Sequence, residues 1–228
     1  RHSLRLRTRE PKWKRTGRNL VIAATGGIVM SLVEQPLALR VARHVDSNDL
    51  GLVPKITTSR MGRLLLGIFL LDYGLYSSPL LTHQVPLLRR FHLVHHIDLD
   101  MDASTALRFH FGEMLASVPW RLVQIRMVGA SPLAVSIWQT LLFVSILFHH
   151  SNTRLPLWLE RRLRYIVITP RLHGIHHEAK QRLTNSNWSS GLAIWDLLHG
   201  TYRWHEREEQ LIGVPDYQEV EQVTLPKC

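Results

Sequence analysis

Two stretches of the chain carry one pattern, a histidine followed three and four residues later by two more, and each lies near a long apolar run. His92, His95 and His96 form the first copy, in FHLVHH, and His173, His176 and His177 form the second, in LHGIHH. On an α-helix such positions share one face, with Cβ atoms about 5–6 Å apart. Imidazoles that close repel one another when protonated, near a pKa of ~6.5, and a bound metal removes the conflict by taking the neutral rings. They can converge on one centre or bridge towards two. His149 and His150 form a third group, in FHHSN, and His83 stands in LLTH.

The apolar residues are segregated into four runs, 20–39, 64–81, 114–128 and 133–148. Glu34, Gln35 and Pro36 interrupt the first, leaving about fourteen clean residues. That is short for a spanning helix, which needs about twenty, and it predicts a tilted, re-entrant or buried segment. Asp72 lies inside the second run, as a polar contact between helices or part of a site. Gly129–Pro132 reads as a tight turn, making the last two runs a helical hairpin, although Arg121 and Arg126 weaken its first arm. The expected fold is all-α, an integral membrane bundle of about four apolar helices with histidine-rich metal-binding helices at one face. Residues 1–18 read as a basic tail, 19–204 as the membrane domain and 205–228 as a C-terminal tail.

The tail holds Arg1, Arg5, Arg7, Arg9, Lys12, Lys14, Arg15 and Arg18 against a lone Glu10, and the whole chain has a net charge of +10. The positive-inside rule puts that tail, and with it every histidine group, on the cytoplasmic side of a multi-pass protein. Such a charge permits nonspecific phosphate contacts, but no nucleic-acid-binding module is recognisable and the four apolar runs fit one badly, so no nucleic-acid partner is expected. The tail lacks the apolar core and cleavage site of a secretory signal. One cysteine, Cys228, excludes both an intrachain disulfide and a thiolate metal site. Nitrogen donors suit zinc, copper, iron or nickel. Neither histidine pattern has the glutamate of an HExxH zinc protease, and the Glu-x-x-His pairs of soluble di-iron bundles are missing. No Gly-rich phosphate loop or CxxCH haem attachment occurs.

Three segments resemble the fatty acid hydroxylase/sterol desaturase superfamily, especially its bacterial branch: His83–Glu113, Leu147–Pro156 and Thr169–Tyr202. The resemblance extends over about 19–204. It implies a membrane protein with a non-haem centre of two Fe ions, Zn being a substitute, that hydroxylates or desaturates a lipid with dioxygen and an external electron donor. It also implies metal ligands at His83, His92, His95, His96, His149, His150, His173, His176 and His177, with His149 and His150 not distinguished. His110, Asp98, Asp100, Asp102, Asn152 and Asn187 are expected around the site, His110 orienting a ligand ring or acting structurally. The opening motif of the family has a further histidine where this chain has Pro79. Proline cannot ligate and disturbs a helix interior. Pro79 therefore raises a second expectation, a pseudoenzyme of the same fold that binds lipid or a partner without turnover.

Overall fold

The computed structural model describes residues 3–4, 9–206 and 211–223. Arg1, His2, Arg5, Arg7 and Cys228 lie outside the described residues. Among the described residues the chain is all-α, and its extended pairings are isolated bridges such as Val167 with Leu192.

The first apolar run is unbroken. Helix α1 (Lys12–Val29) passes through a π-helical turn (Met30–Glu34) into α2 (Gln35–Ser47), forming one rod of 36 residues. Pro36 sits at the start of α2, where the wider π turn has already shifted the hydrogen-bond register and Gln35 N–H reaches back to Met30 O. The proline's missing N–H and its clash with a preceding carbonyl are absorbed there rather than breaking the helix. The rod also takes in part of the expected basic tail, because Arg15 and Arg18 are buried on α1. The boundary drawn at residue 18 falls inside this helix.

After α3 (Val53–Ile56), α4 (Arg60–Leu75) returns along the rod and continues as α5 (Ser77–Gln84). The second run breaks at Tyr76 between them. That break places Pro79 in the first turn of α5 rather than in a helix interior, so its missing N–H leaves no gap. Helix α6 (Pro86–His96) and a 3₁₀ turn (Thr105–Leu107) precede α7 (Phe111–Val128) and α8 (Pro132–His150), the expected hairpin. Short helices α9 (Leu157–Leu163), α10 (Pro170–His176), α11 (Gln181–Thr184) and α12 (Ile194–Leu198) complete the fold.

The apolar core lies where α2, α4, α7 and α8 meet, around Ala38, Ala42, Leu71, Ile125, Ala134 and Trp138. Three alanines there let the helix axes approach closely. At the end of the bundle remote from the histidines two turns touch through glycine. Gly51 (φ +94°) and Gly129 (φ +79°) face each other so closely that a Cβ on Gly51 would lie 2.4 Å from Gly129 Cα. Only glycine meets both demands, the left-handed backbone and the contact.

Many large apolar side chains point outward. Leu20, Ile28, Leu32, Leu65, Phe69, Leu141 and Val144 are exposed on long helices, a distribution suited to lipid rather than water. Three helical stretches, Lys12–Ser47, Arg60–Gln84 and Pro132–His150, are long and apolar enough to cross a membrane. Helix α7, counted among four apolar helices from the sequence, falls short because it carries Glu113, Arg121 and Arg126. The molecule is a helical membrane bundle with all its histidine groups at one end.

Candidate metal centre

Four helix ends supply the histidines. His83 lies in the last turn of α5, His95 and His96 close α6, His149 and His150 close α8, and His173 and His176 lie on α10, which His177 caps. Local chemistry holds each end in place. Helix α10 starts at Thr169, whose hydroxyl accepts from Leu172 N–H, with Pro170 as first residue. Asn187, at φ +51°, donates its amide to Leu172 O and Arg203 O, tying α10 to the chain beyond it. Helix α6 stops at Ile97, and the next residue, Asp98, accepts from Arg15 at 3.0 Å, Asn19 at 3.0 Å and Thr105 at 2.7 Å. Arg15 also binds Asp102 and the carbonyl of Asp100. These aspartates, expected beside the histidines, anchor α1 to the segment after α6.

Each HxxHH copy is divided between two groups. His83, His92, His96 and His176 form one quartet, and His95, His150, His173 and His177 the other, with the donor atoms of each within 4.8 Å of one another. Every quartet thus has one histidine from the last turn of a membrane-length helical stretch, an i, i+4 pair from one pattern and the i+3 histidine of the other. In the first, His96 Nε2 lies 3.1 Å from both His83 Nε2 and His92 Nε2. In the second, His150 Nε2 lies 3.0 Å from His95 Nε2 and from His173 Nε2, and His177 Nε2 is 3.1 Å from His173 Nε2. The quartets adjoin through His96 and His177, stacked at 4.3 Å.

The outer nitrogens fix the proton. His92 donates Nδ1–H to Glu113 Oε1 at 2.7 Å, His176 to Ser186 O at 2.9 Å and His150 to Ile146 O at 2.8 Å. Neutral rings held this way aim an unprotonated Nε2 inward. Burial, and then repulsion between neighbouring imidazoles, pushes His95, His96, His173 and His177 well below the usual histidine range and His176 down to about 3. Those five rings are therefore neutral at neutral pH, and inward lone pairs 3 Å apart are unfavourable without a cation between them. Two nitrogens bound at right angles, each ~2.1 Å from one ion, lie ~3.0 Å apart. The donor set and its spacing fit first-row metal ions.

His149 stands outside both quartets. Consecutive helix residues diverge by about 100°, so His150 turns inward while His149 packs its ring 4.0 Å from that of His173. His110 caps α7, its Nδ1 accepting from Gly112 N–H, and stacks on Phe91, a structural role. Asp72 accepts from Trp195 Nε1 at 2.7 Å and Leu192 N–H at 3.1 Å, joining α4 to α12 as a polar contact between helices. Glu113 was not singled out from the sequence. Its signal was its position, three residues after the cap, in the first turn of a helix that begins at the histidines.

A cavity of about 490 Å³ opens from the quartets. His92, His95, His150, His173 and His176 line one end, beside His149 and Pro79, and it runs between α1 and α7 to Glu34 and Arg121. Its wall is mainly apolar, including Met30, Leu75, Leu142, Phe143 and Ile146. The arrangement can hold a flexible apolar chain with one point of it against the histidines.

Over 145 residues the chain is 32% identical to ornithine lipid hydroxylase OlsE of Rhizobium tropici, covering 61% of this chain and 41% of that protein. Over 150 residues it is 29% identical to alkylglycerol monooxygenase of Xenopus tropicalis and 28% identical to that of Homo sapiens, covering 63% of this chain and 31% of each relative. The matched region thus spans less than half the length of these relatives. No solved structure matches the chain. The profile of the fatty acid hydroxylase family matches residues 64–201, from α4 through both histidine patterns, and the chain belongs to that family.

Proposed function

We propose that this chain forms the metal-bearing membrane part of a lipid oxygenase, with one iron held by His83, His92, His96 and His176 and a second by His95, His150, His173 and His177. The observation that carries this reading is the pair of four-nitrogen quartets, buried but for a half-buried His83, at the mouth of an apolar cavity. The irons, when bound, supply the dioxygen chemistry needed to oxidise an unactivated C–H bond, with electrons from an outside donor. The protein's own part is positional. Glu113 holds His92 in one tautomer, the carbonyls of Ile146 and Ser186 do the same for His150 and His176, and His149 packs behind His173. The apolar wall admits a lipid chain and excludes water from it. Hydroxylation is favoured over desaturation because the relatives named above are a hydroxylase and monooxygenases. The chain is multi-pass, with the histidines on the cytoplasmic side, where a soluble donor can reach exposed Arg89 and Arg90 on α6. Zinc is expected to occupy the same nitrogens as an inactive substitute.

Pro79 favours a second reading, a lipid-binding pseudoenzyme, because it lines the cavity where the family pattern has a histidine. Elemental analysis of detergent-purified protein beside Pro79→His separates the two. About two irons per chain in both proteins, with oxygen incorporated into added lipid, is the expected result. Little metal in the native chain, recovered in the variant, would establish the pseudoenzyme. No metal in either would sink the di-iron reading.

A further inference from the structure

The far end of the cavity has no part in holding a metal, yet it carries charge. Glu34 and Arg121 line it, both buried, with Arg121 Nε donating to Glu34 Oε1 at 3.3 Å. Ser117 Oγ approaches Glu34 Oε2 at 3.5 Å, while Arg121 also donates to Gln124 Oε1 and sits over the Trp138 ring at 4.4 Å. Both contacts to the carboxylate are long beside the ~2.7–2.9 Å of a charge-assisted bond, so Glu34 retains accepting capacity. Trp120 lines the same cavity, and its indole N–H is buried without a hydrogen-bond partner. Arg121 and Glu34 therefore bring a donor and an acceptor to one small region of an otherwise apolar wall, the arrangement by which a pocket fixes a ligand's orientation.

The π-helical turn after α1 marks this region as shaped for an occupant. It covers Met30–Glu34, and Met30, Ser31 and Glu34 from it all line the cavity. Such turns re-aim side chains and recur at functional sites.

We propose that Glu34 and Arg121, with Ser117 beside them, bind an uncharged hydrogen-bonding group, a hydroxyl or an amide, within the lipid that the cavity takes. The inference rests on the lipid reading above and narrows its substrate class. The pair is already electroneutral, so an ionic headgroup would bring a charge with no counter-charge into an apolar place, whereas a hydroxyl or amide both donates to Glu34 and accepts from Arg121. Position adds a ruler. Glu113 touches His92, and Arg121 follows it by eight residues on the same helix, which places the polar group about 12 Å along the lipid from the carbon held at the histidines.

The test compares two synthetic lipids of equal length and headgroup, one with an amide in its chain and one all-methylene, by binding to detergent-purified full chain and by product analysis. Binding is read by native mass spectrometry and does not depend on turnover. The native protein is expected to bind the amide lipid at least tenfold more tightly and to oxidise it at one position about 12 Å from the amide. Glu34→Leu/Arg121→Met, which removes both charges together and so avoids stranding one, should lose that preference while binding the all-methylene lipid as before. Glu34→Gln, which keeps the shape, should reduce the preference several-fold even if the double variant does not accumulate. Equal binding of both lipids by native protein, or an undiminished preference in either variant, would overturn the inference and leave the oxygenase reading standing. Native protein that neither binds nor oxidises either lipid would overturn both.

Discussion

His92 is held from two sides, its Nε2 facing His96 and its Nδ1–H given to Glu113, whose carboxylate is buried beside the cavity. A carboxylate behind a ligating imidazole fixes its tautomer and raises its basicity, and loss of such a partner typically weakens metal binding 10–100-fold. Glu113→Ala is therefore expected to lower iron affinity by about that factor at the first quartet alone, measurable as one of two metals being stripped at lower chelator concentration. Equal loss from both quartets would show that Glu113 acts on the fold instead. The histidines themselves were legible because their spacing is regular and helical. What spacing could not reveal is the division of each pattern, since i, i+3 and i+4 share a face and only the opposing helix decides which centre each ring meets. His149 and His150 were indistinguishable for the same reason, as two neighbours on one turn. The aspartates after His96 looked like partners of the histidines, and only the packing of α1 showed Arg15 waiting for them.

At the scale of elements, composition understated the first rod and overstated α7. A proline flanked by a glutamate and a glutamine reads as a break, but a π turn changes the register of backbone hydrogen bonds, and that change leaves no trace in an apolar count. Helix α7 has the length of a span but carries three charges. One of them, Arg121, meets Glu34 from the π turn, so the two elements that departed from expectation are partners. The tight turn at Gly129 was legible, and the structure adds its contact with Gly51. Gly129→Ala would place a Cβ 2.4 Å from Leu50 O at a left-handed backbone position. It should destabilise the bundle by more than ~1 kcal/mol, seen as a lower midpoint of thermal unfolding in detergent, with metal content at the opposite end unchanged in the folded fraction. An unchanged midpoint would mean that the two turns separate at little cost.

The whole molecule gathers its titratable burden at one end. Unfolded histidines take up protons near pH 6.5, whereas His95, His96, His173, His176 and His177 do so only at far lower pH, about 3 for His176. Below pH ~6.5 the unfolded state thus binds more protons than the folded state, and stability falls as pH falls, by up to ~1.4 kcal/mol per pH unit for each such histidine. Chelator-treated protein should lose thermal stability steeply between pH 7 and 5. A flat profile would contradict the burial of the cluster. The all-α membrane architecture was readable from the runs of apolar residues, and so was the gathering of every histidine group at one end. The expected C-terminal tail was not a tail throughout: Val223 is buried against Ile97 and Leu99, and Gly213 N–H reaches the carbonyl of His177.

The division of the histidine patterns also bears on how such a protein is made. Translation delivers His83, His92, His95 and His96 early and His176 and His177 nearly a hundred residues later, yet each quartet draws on both sets. Neither quartet is whole until the ribosome has passed residue 177, by which time all three membrane-length helices have been synthesised. A complete quartet can therefore form only after all three membrane-length helices have been synthesised. A chain stalled ahead of α10 lacks not one centre but both.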